Sequence, residues 1–205
     1  MTCLVIARHG NTFTPDEAPR RVGRRTDLPL VRKGREQAAR LGHYLMEQGL
    51  VPDEIFCSTL QRTIQTAEGA IKAMELALTP EQRRMFDEID YGPDEDKPEA
   101  QVRARLGDEA LRAWEDDNIV PEGWRGEPEA IIRNWQAFAD ERRNLWPRGT
   151  VLVVTSGGIA RFAPYMTRDL QEFYRSYRPK LSPGALGLIA HENDQWCVKG
   201  WNVRA

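Results

Sequence analysis

The sequence predicts an α/β fold, a three-layer α/β/α sandwich on a mainly parallel sheet, and three observations carry that prediction. The run "TVLVVT" at 150–155 is apolar or β-branched at every position, the composition of a central strand covered on both faces. A second apolar run, "LVIA" at 4–7, leads straight into Arg8, His9 and Gly10. Between such runs lie segments whose apolar residues recur at helical spacing, and strands alternating with helices build a parallel sheet with helices on both faces.

Val5–Ala7 form the first strand, and residues 9–31, with Pro15, Pro19, Gly23 and Pro29, read as loop. From Lys33 to Gln48, Ala38, Leu41 and Leu45 share one helical face, and Gly49 stops the helix. "EIFCS" (54–58) is a short strand. Leu60, Ile64, Ala67 and Ile71 set the next helix over 59–74, capped by Ser58 or Thr59. The polar stretch 79–100 reads as loop, 101–116 as helix and "VPEGWRGEP" as a second loop. Together they form a cap over one sheet edge, at the carboxyl ends of the strands. Ile131, Trp135, Phe138 and Leu145 stripe a helix over 128–145. Gly157–Met166 is helical, with a break at Pro164. "ALGLIAH" and "QWCVKGW" close the sheet as a pair of strands.

A length of 205 residues suits one domain, 1–205, with the cap region at about 79–128 inserted. Hydrophobic residues, at 40%, suffice for a sizeable core. The formal charge is −2, so nothing general draws the chain to nucleic acid or to a membrane surface. The longest apolar runs are too short to span a bilayer. "MTCLVIARHG" has neither a basic leader nor a cleavage site, and the expected location is the cytoplasm. Cys3, Cys57 and Cys197 lack CxxC spacing and read as reduced thiols rather than a disulfide or zinc site.

In sheets of this kind ligands bind at the carboxyl ends of the strands, so Arg8-His9-Gly10 and Ser156-Gly157-Gly158 should face one crevice. A neutral histidine nitrogen is a nucleophile toward phosphorus near neutral pH. A neighbouring guanidinium offers a planar fork to phosphate oxygens, and Gly10 lets backbone N–H groups approach a ligand. By itself "RHG" does not separate a nucleophile from a structural histidine. Arg62 alone reads as a surface ion pair. Glu88 stands in "DEIDYGPDED", where a charge run is usually a solvated face and Asp87 or Asp90 could take its role. Arg20, Arg21, Arg24 and Arg25 lack interleaved aromatics, which points away from RNA and toward a small anionic substrate or salt bridges to the acidic loop. His43, beside Tyr44, reads as structural and His191 as exposed.

"RHGNT" resembles the signature of the histidine phosphatase superfamily, the phosphoglycerate mutase-like proteins, and further segments agree in order along nearly the whole chain. "RRVGRRTDLPLVRKGREQA" is similar to the family's arginine-glycine loop and first helix, "CSTLQRTIQTA" to its "SxLxRxxxTA" segment, "FDEIDYG" to its acid/base segment and "VPEGWRGE" to its cap. The resemblance implies a phosphoglycerate mutase-like fold and a phosphatase acting on a small phosphorylated metabolite. His9 would be transiently phosphorylated, and Arg8 and Arg62 would clamp the phosphoryl oxygens. Glu88 would protonate the leaving oxygen and then help water attack. Asn11 and Thr12 would line the pocket, and Arg20 falls where the family often has a substrate-side arginine. No cofactor or metal is implied, because arginines supply the positive charge.

One position departs from the family pattern. The fourth strand normally ends in a second histidine, in "SHGG" or similar, whereas here the segment is "TSGG", with Ser156 at that position. A serine hydroxyl donates one hydrogen bond and carries no charge, which implies a slow phosphatase, with the Gly157-Gly158 turn still offering backbone N–H groups. The alternative is a pocket that binds an anionic ligand without turnover. Phosphoglycerate mutase activity fits the altered centre and short chain less well. A serine at a strand-to-helix turn also suits an α/β-hydrolase, with Ser156, Asp169 and His191 as its triad, although Val154 replaces the first glycine of G-x-S-x-G.

Overall fold

The computed structural model describes residues 1–205. Strands β1 (Cys3–Arg8), β2 (Glu54–Cys57), β3 (Glu81–Gln82), β4 (Thr150–Thr155), β5 (Ala185–Glu192) and β6 (Gln195–Arg204) lie in the order β3-β2-β4-β1-β5-β6. The sheet is parallel from β3 to β1, and β5 then runs antiparallel to β1 and β6 antiparallel to β5. The parallel part is the predicted one. The closing pair is a hairpin whose turn residues, Asn193 and Asp194, have φ of 49° and 60°, the left-handed pair that a two-residue turn between twisted strands requires.

Side chains alternate across the sheet. Leu4, Ile6, Val151 and Val153 face one layer, formed by α4 (Pro128–Leu145) and the cap helix α3 (Glu99–Asp117). Val5, Ala7, Leu152 and Val154 face the other, formed by α1 (Arg32–Glu47) and α2 (Gln61–Ala73). The chain between β4 and β5 carries α5 (Gly157–Ala160), a 3₁₀ turn at Ala163–Met166 and α6 (Leu170–Ser176). The break predicted at Pro164 is therefore real, but the helix already ends at Ala160. No helix is long and apolar enough to cross a membrane.

Several local expectations change. The helix set at 59–74 begins at Gln61, and its N-cap is Leu60, not Ser58 or Thr59. Distant acids take over the capping: Asp27 Oδ1 accepts from Gln61 N (2.7 Å) and Asp87 Oδ1 from Thr59 N (2.8 Å). The stretch 79–100 holds β3 and two short 3₁₀ turns, and Gly107 (φ 79°) interrupts α3. The cap does not merely cover an edge, because Val102, Leu111 and Trp114 of α3 join the core on one sheet face. Leu145 is exposed; the last turn of α4 instead buries Arg142, which stacks on Phe56 and Phe138 and pairs with Glu54 at 2.7 Å. His43 is exposed on α1, while His191 is half-buried against Trp196, the reverse of the expected pair. Cys3 and Cys57 are buried free thiols, and burial pushes them up to about 11 and about 12, far from thiolate reactivity. Cys197 is free and part-buried.

Candidate active site

The site begins where β1 ends. His9 N donates to Thr155 O (3.0 Å), which sets the nucleophile candidate beside Ser156 at the end of β4. The next residue must be small, because a Cβ on Gly10 would run into the backbone of Gly34 in the first turn of α1. The turn is fixed from three sides. Gly10 N donates to Thr66 Oγ1 (3.1 Å), Asn11 N to Gln37 Oε1 (2.8 Å), and Gly184 N to the carbonyls of Arg8 and His9.

His9 is buried, with 7% of its surface exposed, and lines a cavity of about 490 Å³. Its Nδ1 lies 2.8 Å from Gly10 O. A carbonyl only accepts, so Nδ1 carries the proton and Nε2 keeps its lone pair. Burial, then the charges of Arg62 and Arg8, hold the ring well below the histidine value of 6.5, against the pull of Gly10 O. A ring ¹⁵N titration should therefore find His9 neutral at pH 6.5, with its proton on Nδ1; half-protonation there would contradict this placement. The depression also fixes a sign. Stability from the neutral ring is present above pH 6.5 and is lost as pH falls toward the folded-state value.

The arginines differ. Arg8 lies against Gly157, and its Nη1 donates to Leu181 O at 2.8 Å, while its buried Nε has no partner. Arg62 is fully buried, and its terminal nitrogens donate to Thr26 O (2.8 Å) and Gly23 O (3.1 Å). Its charge reaches His9, but two N–H groups of its fork hold the 23–26 loop. Arg20 lines the cavity, exposed, and is engaged by the Asp96 carbonyl and carboxylate. Arg25 pairs with Asp90, Arg21 with Glu99, and Arg24 Nε donates to Glu88 O. The arginine run is thus tied largely to the acidic segment, one of the two expected arrangements. Asn11 and Thr12 also line the cavity.

Of the neighbouring acids, Glu88 lines the cavity. Asp87 is occupied by Thr59, and Asp90 by Arg25, Arg125 and Gly92 N. Glu88 is buried, and its oxygens accept from Ile89 N (2.9 Å) and Gly158 N (3.0 Å). The carboxylate thereby joins the cap segment to the turn after β4. It also takes Gly158 N–H, one of the two backbone donors expected to face a phosphoryl group. Ser156 is fully buried, its hydroxyl has no partner, and it does not line the cavity, although Gly157 lines an adjoining one.

The serine-hydrolase triad does not assemble. Asp169 caps α6 through Glu172 N, and His191 N donates to Thr2 O at the start of β1. Ser156 follows β4, whose last residue pairs with the far end of β1, about 20 Å away at the rise of a six-residue strand. Arg21, of the arginine run, lines the cavity, as do Lys33 and Tyr91, which sequence reasoning did not single out for the site. Tyr91 is buried, and burial together with Glu88 raises its hydroxyl so that it stays protonated.

A family model described as histidine phosphatase superfamily (branch 1) matches residues 4–204. Among curated proteins, a 2,3-bisphosphoglycerate-dependent phosphoglycerate mutase of Thermobifida fusca is 31% identical over 195 residues, covering 93% of this chain and 73% of its own. One from Bifidobacterium longum is 33% identical, covering 91% and 71%. Among solved structures, mycobacterial glucosyl-3-phosphoglycerate phosphatase in complex with VO3 aligns with a TM-score of 0.79 at 21% identity over 98% of both chains. Bacillus stearothermophilus YhfR aligns with a TM-score of 0.79 at 22% identity, over 100% of this chain and 98% of its own. At such identities these two structures speak for the fold.

Proposed function

Because the chain belongs to the histidine phosphatase superfamily, matched from residue 4 to residue 204, we propose that it is a phosphomonoester hydrolase working through a phosphohistidine on His9. The observation that carries this reading is the 2.8 Å contact of His9 Nδ1 with Gly10 O, which leaves Nε2 as the free lone pair of a cavity-lining ring. Nε2 forms a bond to phosphorus as the ester P–O bond breaks, and Glu88, entering this step as the protonated acid, gives its proton to the departing oxygen and is left as the carboxylate. In the second half, water loses a proton to Glu88 as its oxygen bonds to phosphorus. The P–N bond then breaks and phosphate leaves. Arg8, with the charge of Arg62 behind it, balances the phosphoryl oxygens, so the reading needs no metal and no cofactor. The substrate is a small phosphorylated metabolite, hydrolysed slowly because Ser156 supplies no charge at the end of β4.

Phosphate release from an aryl phosphate tests the activity. Labelled enzyme quenched into alkali, where a P–N bond survives, should carry its phosphate on His9; label on any other residue overturns the assignment. Two observations favour a second reading, binding without turnover: Ser156 does not line the cavity, and Gly158 N–H is held by Glu88. Saturable phosphate binding with no release from any ester would select it.

A further inference from the structure

Glu95 has no part in the chemistry above and lines neither the His9 cavity nor the adjoining one, yet its half-buried carboxylate accepts four hydrogen bonds. Oε1 accepts from Gly23 N (3.0 Å), Arg25 N (3.1 Å) and Thr26 Oγ1 (2.8 Å). Oε2 accepts from Tyr91 N (3.1 Å). One oxygen thus gathers the 23–26 loop, and the other ties it to the segment that carries Glu88. The stretch 21–31 holds no helix or strand, so its backbone N–H groups depend on acceptors from elsewhere. The same loop supplies both carbonyls on the Arg62 fork, Thr26 O and Gly23 O. Arg24 adds a parallel tie: its N donates to Ile89 O (3.1 Å) and its Nε to Glu88 O (3.2 Å). Gly23 leaves the room for this arrangement, because a Cβ there would overlap Glu95 Oε2 and come within 2.7 Å of Ile89 O.

Resting on the phosphatase reading, we propose that Glu95 is a positioning residue: through the 23–26 loop it holds the Arg62 guanidinium and the Glu88 carboxyl in one register beside His9. The reaction needs both at once, positive charge behind the phosphoryl oxygens and a proton at the departing one. Arg62 comes from α2 and Glu88 from the cap segment, and the loop is where the two are joined. Without the Glu95 carboxylate, Gly23 N, Arg25 N and Tyr91 N turn to water and the loop carbonyls loosen from the fork. Water then reaches the guanidinium and screens its charge at His9. That consequence sets positioning apart from plain stability. Burial first, and the Arg62 charge second, hold the His9 ring well below 6.5, so the ring registers a displaced or hydrated Arg62.

The experiment measures kcat for an aryl phosphate and the ¹⁵N titration of the His9 ring in Glu95→Ala and Glu95→Gln, with circular dichroism to show that each is folded. Glu95→Ala should lower kcat at least about tenfold, since a misplacement of ~1 Å from outside a site can cost ~10²-fold. Its His9 ring should titrate at a higher pH than in the wild type. Glu95→Gln keeps one oxygen for the loop donors but turns N–H against Tyr91 N, so it should fall between the two on both readings. A wild-type kcat in Glu95→Ala overturns the proposal. So does a rate loss with the His9 titration unmoved, which would leave Glu95 a purely structural residue. If Glu95→Ala does not fold, Glu95→Gln decides on the same two readings. If the wild type hydrolyses no aryl phosphate, the phosphatase reading fails separately; the ring titration then decides alone, and an unmoved ring overturns the positioning role.

Discussion

His9→Ala is expected to abolish phosphomonoester hydrolysis, lowering kcat by at least ~10⁴-fold, the scale on which removal of a nucleophile acts. No other group at the site replaces it. Ser156 has no adjacent base, the remaining histidines lie on α1 and at the far end of β5, and Arg8 and Arg62 donate rather than attack. The fold should survive, because the turn is held by Gly10 N, Asn11 N and Gly184 N, none of which uses the imidazole. Removing a neutral ring from between two buried arginines leaves their charges unchanged. Phosphate release from an aryl phosphate, read beside circular dichroism and thermal unfolding, checks both halves. Activity within tenfold of wild type in a folded variant would remove His9 from the mechanism.

Glu88→Gln is expected to cost about 10²–10⁴ in rate on alkyl phosphates, the usual contribution of a general acid. The loss on aryl phosphates should be smaller, because a phenolate departs with little help from a proton. The substitution also has a structural price. A carboxylate accepts from both Ile89 N and Gly158 N, whereas an amide accepts through its oxygen alone and turns N–H against the other donor. One buried hydrogen bond is lost, worth about 1–3 kcal/mol of stability. Rate profiles on the two ester classes and urea midpoints separate the roles. An equal loss on both classes, together with the stability loss, would mean that Glu88 serves only to hold the turn after β4.

The parts legible in the sequence were those in which one local pattern decides. β4 could be read because every side chain is apolar or β-branched and the strand is covered on both faces. The strand-end placement of His9 followed from the run before it. Long-range partners were not legible. Nothing near Leu60 announces that Asp27 will accept the first N–H of α2, or Asp87 that of Thr59 just before it. The stripe that ended on Leu145 failed because Arg142, between two aromatic rings and Glu54, is the residue that closes the α4 face. α6 passed unread: it has seven residues, and its anchor Phe173 gains meaning only against Trp201. Arg161 carried a readable signal. A lone charge in "GGIARFAPYM" stands in an otherwise apolar run, and a buried charge must find a partner. That partner, Glu115, lies across the cap and could not be guessed from spacing.

α3 sets how freely the molecule can change. Val102, Leu111 and Trp114 anchor the helix in the core, and Leu111 and Trp114 also line the adjoining cavity, beside Glu99, Arg103 and Glu115. Only the polar part of this wall is separate from the positions that hold the helix in place. A descendant lineage can exchange the polar set, reversing a charge or shortening a side chain, with the apolar set still in register and the domain still folded. The turn after β1 has no such freedom, since a Cβ on Gly10 would meet the Gly34 backbone and a Cβ on Gly34 the Asn11 backbone. A turn that tolerates no added Cβ therefore stands beside a wall whose polar residues can be exchanged by a few substitutions along one helix.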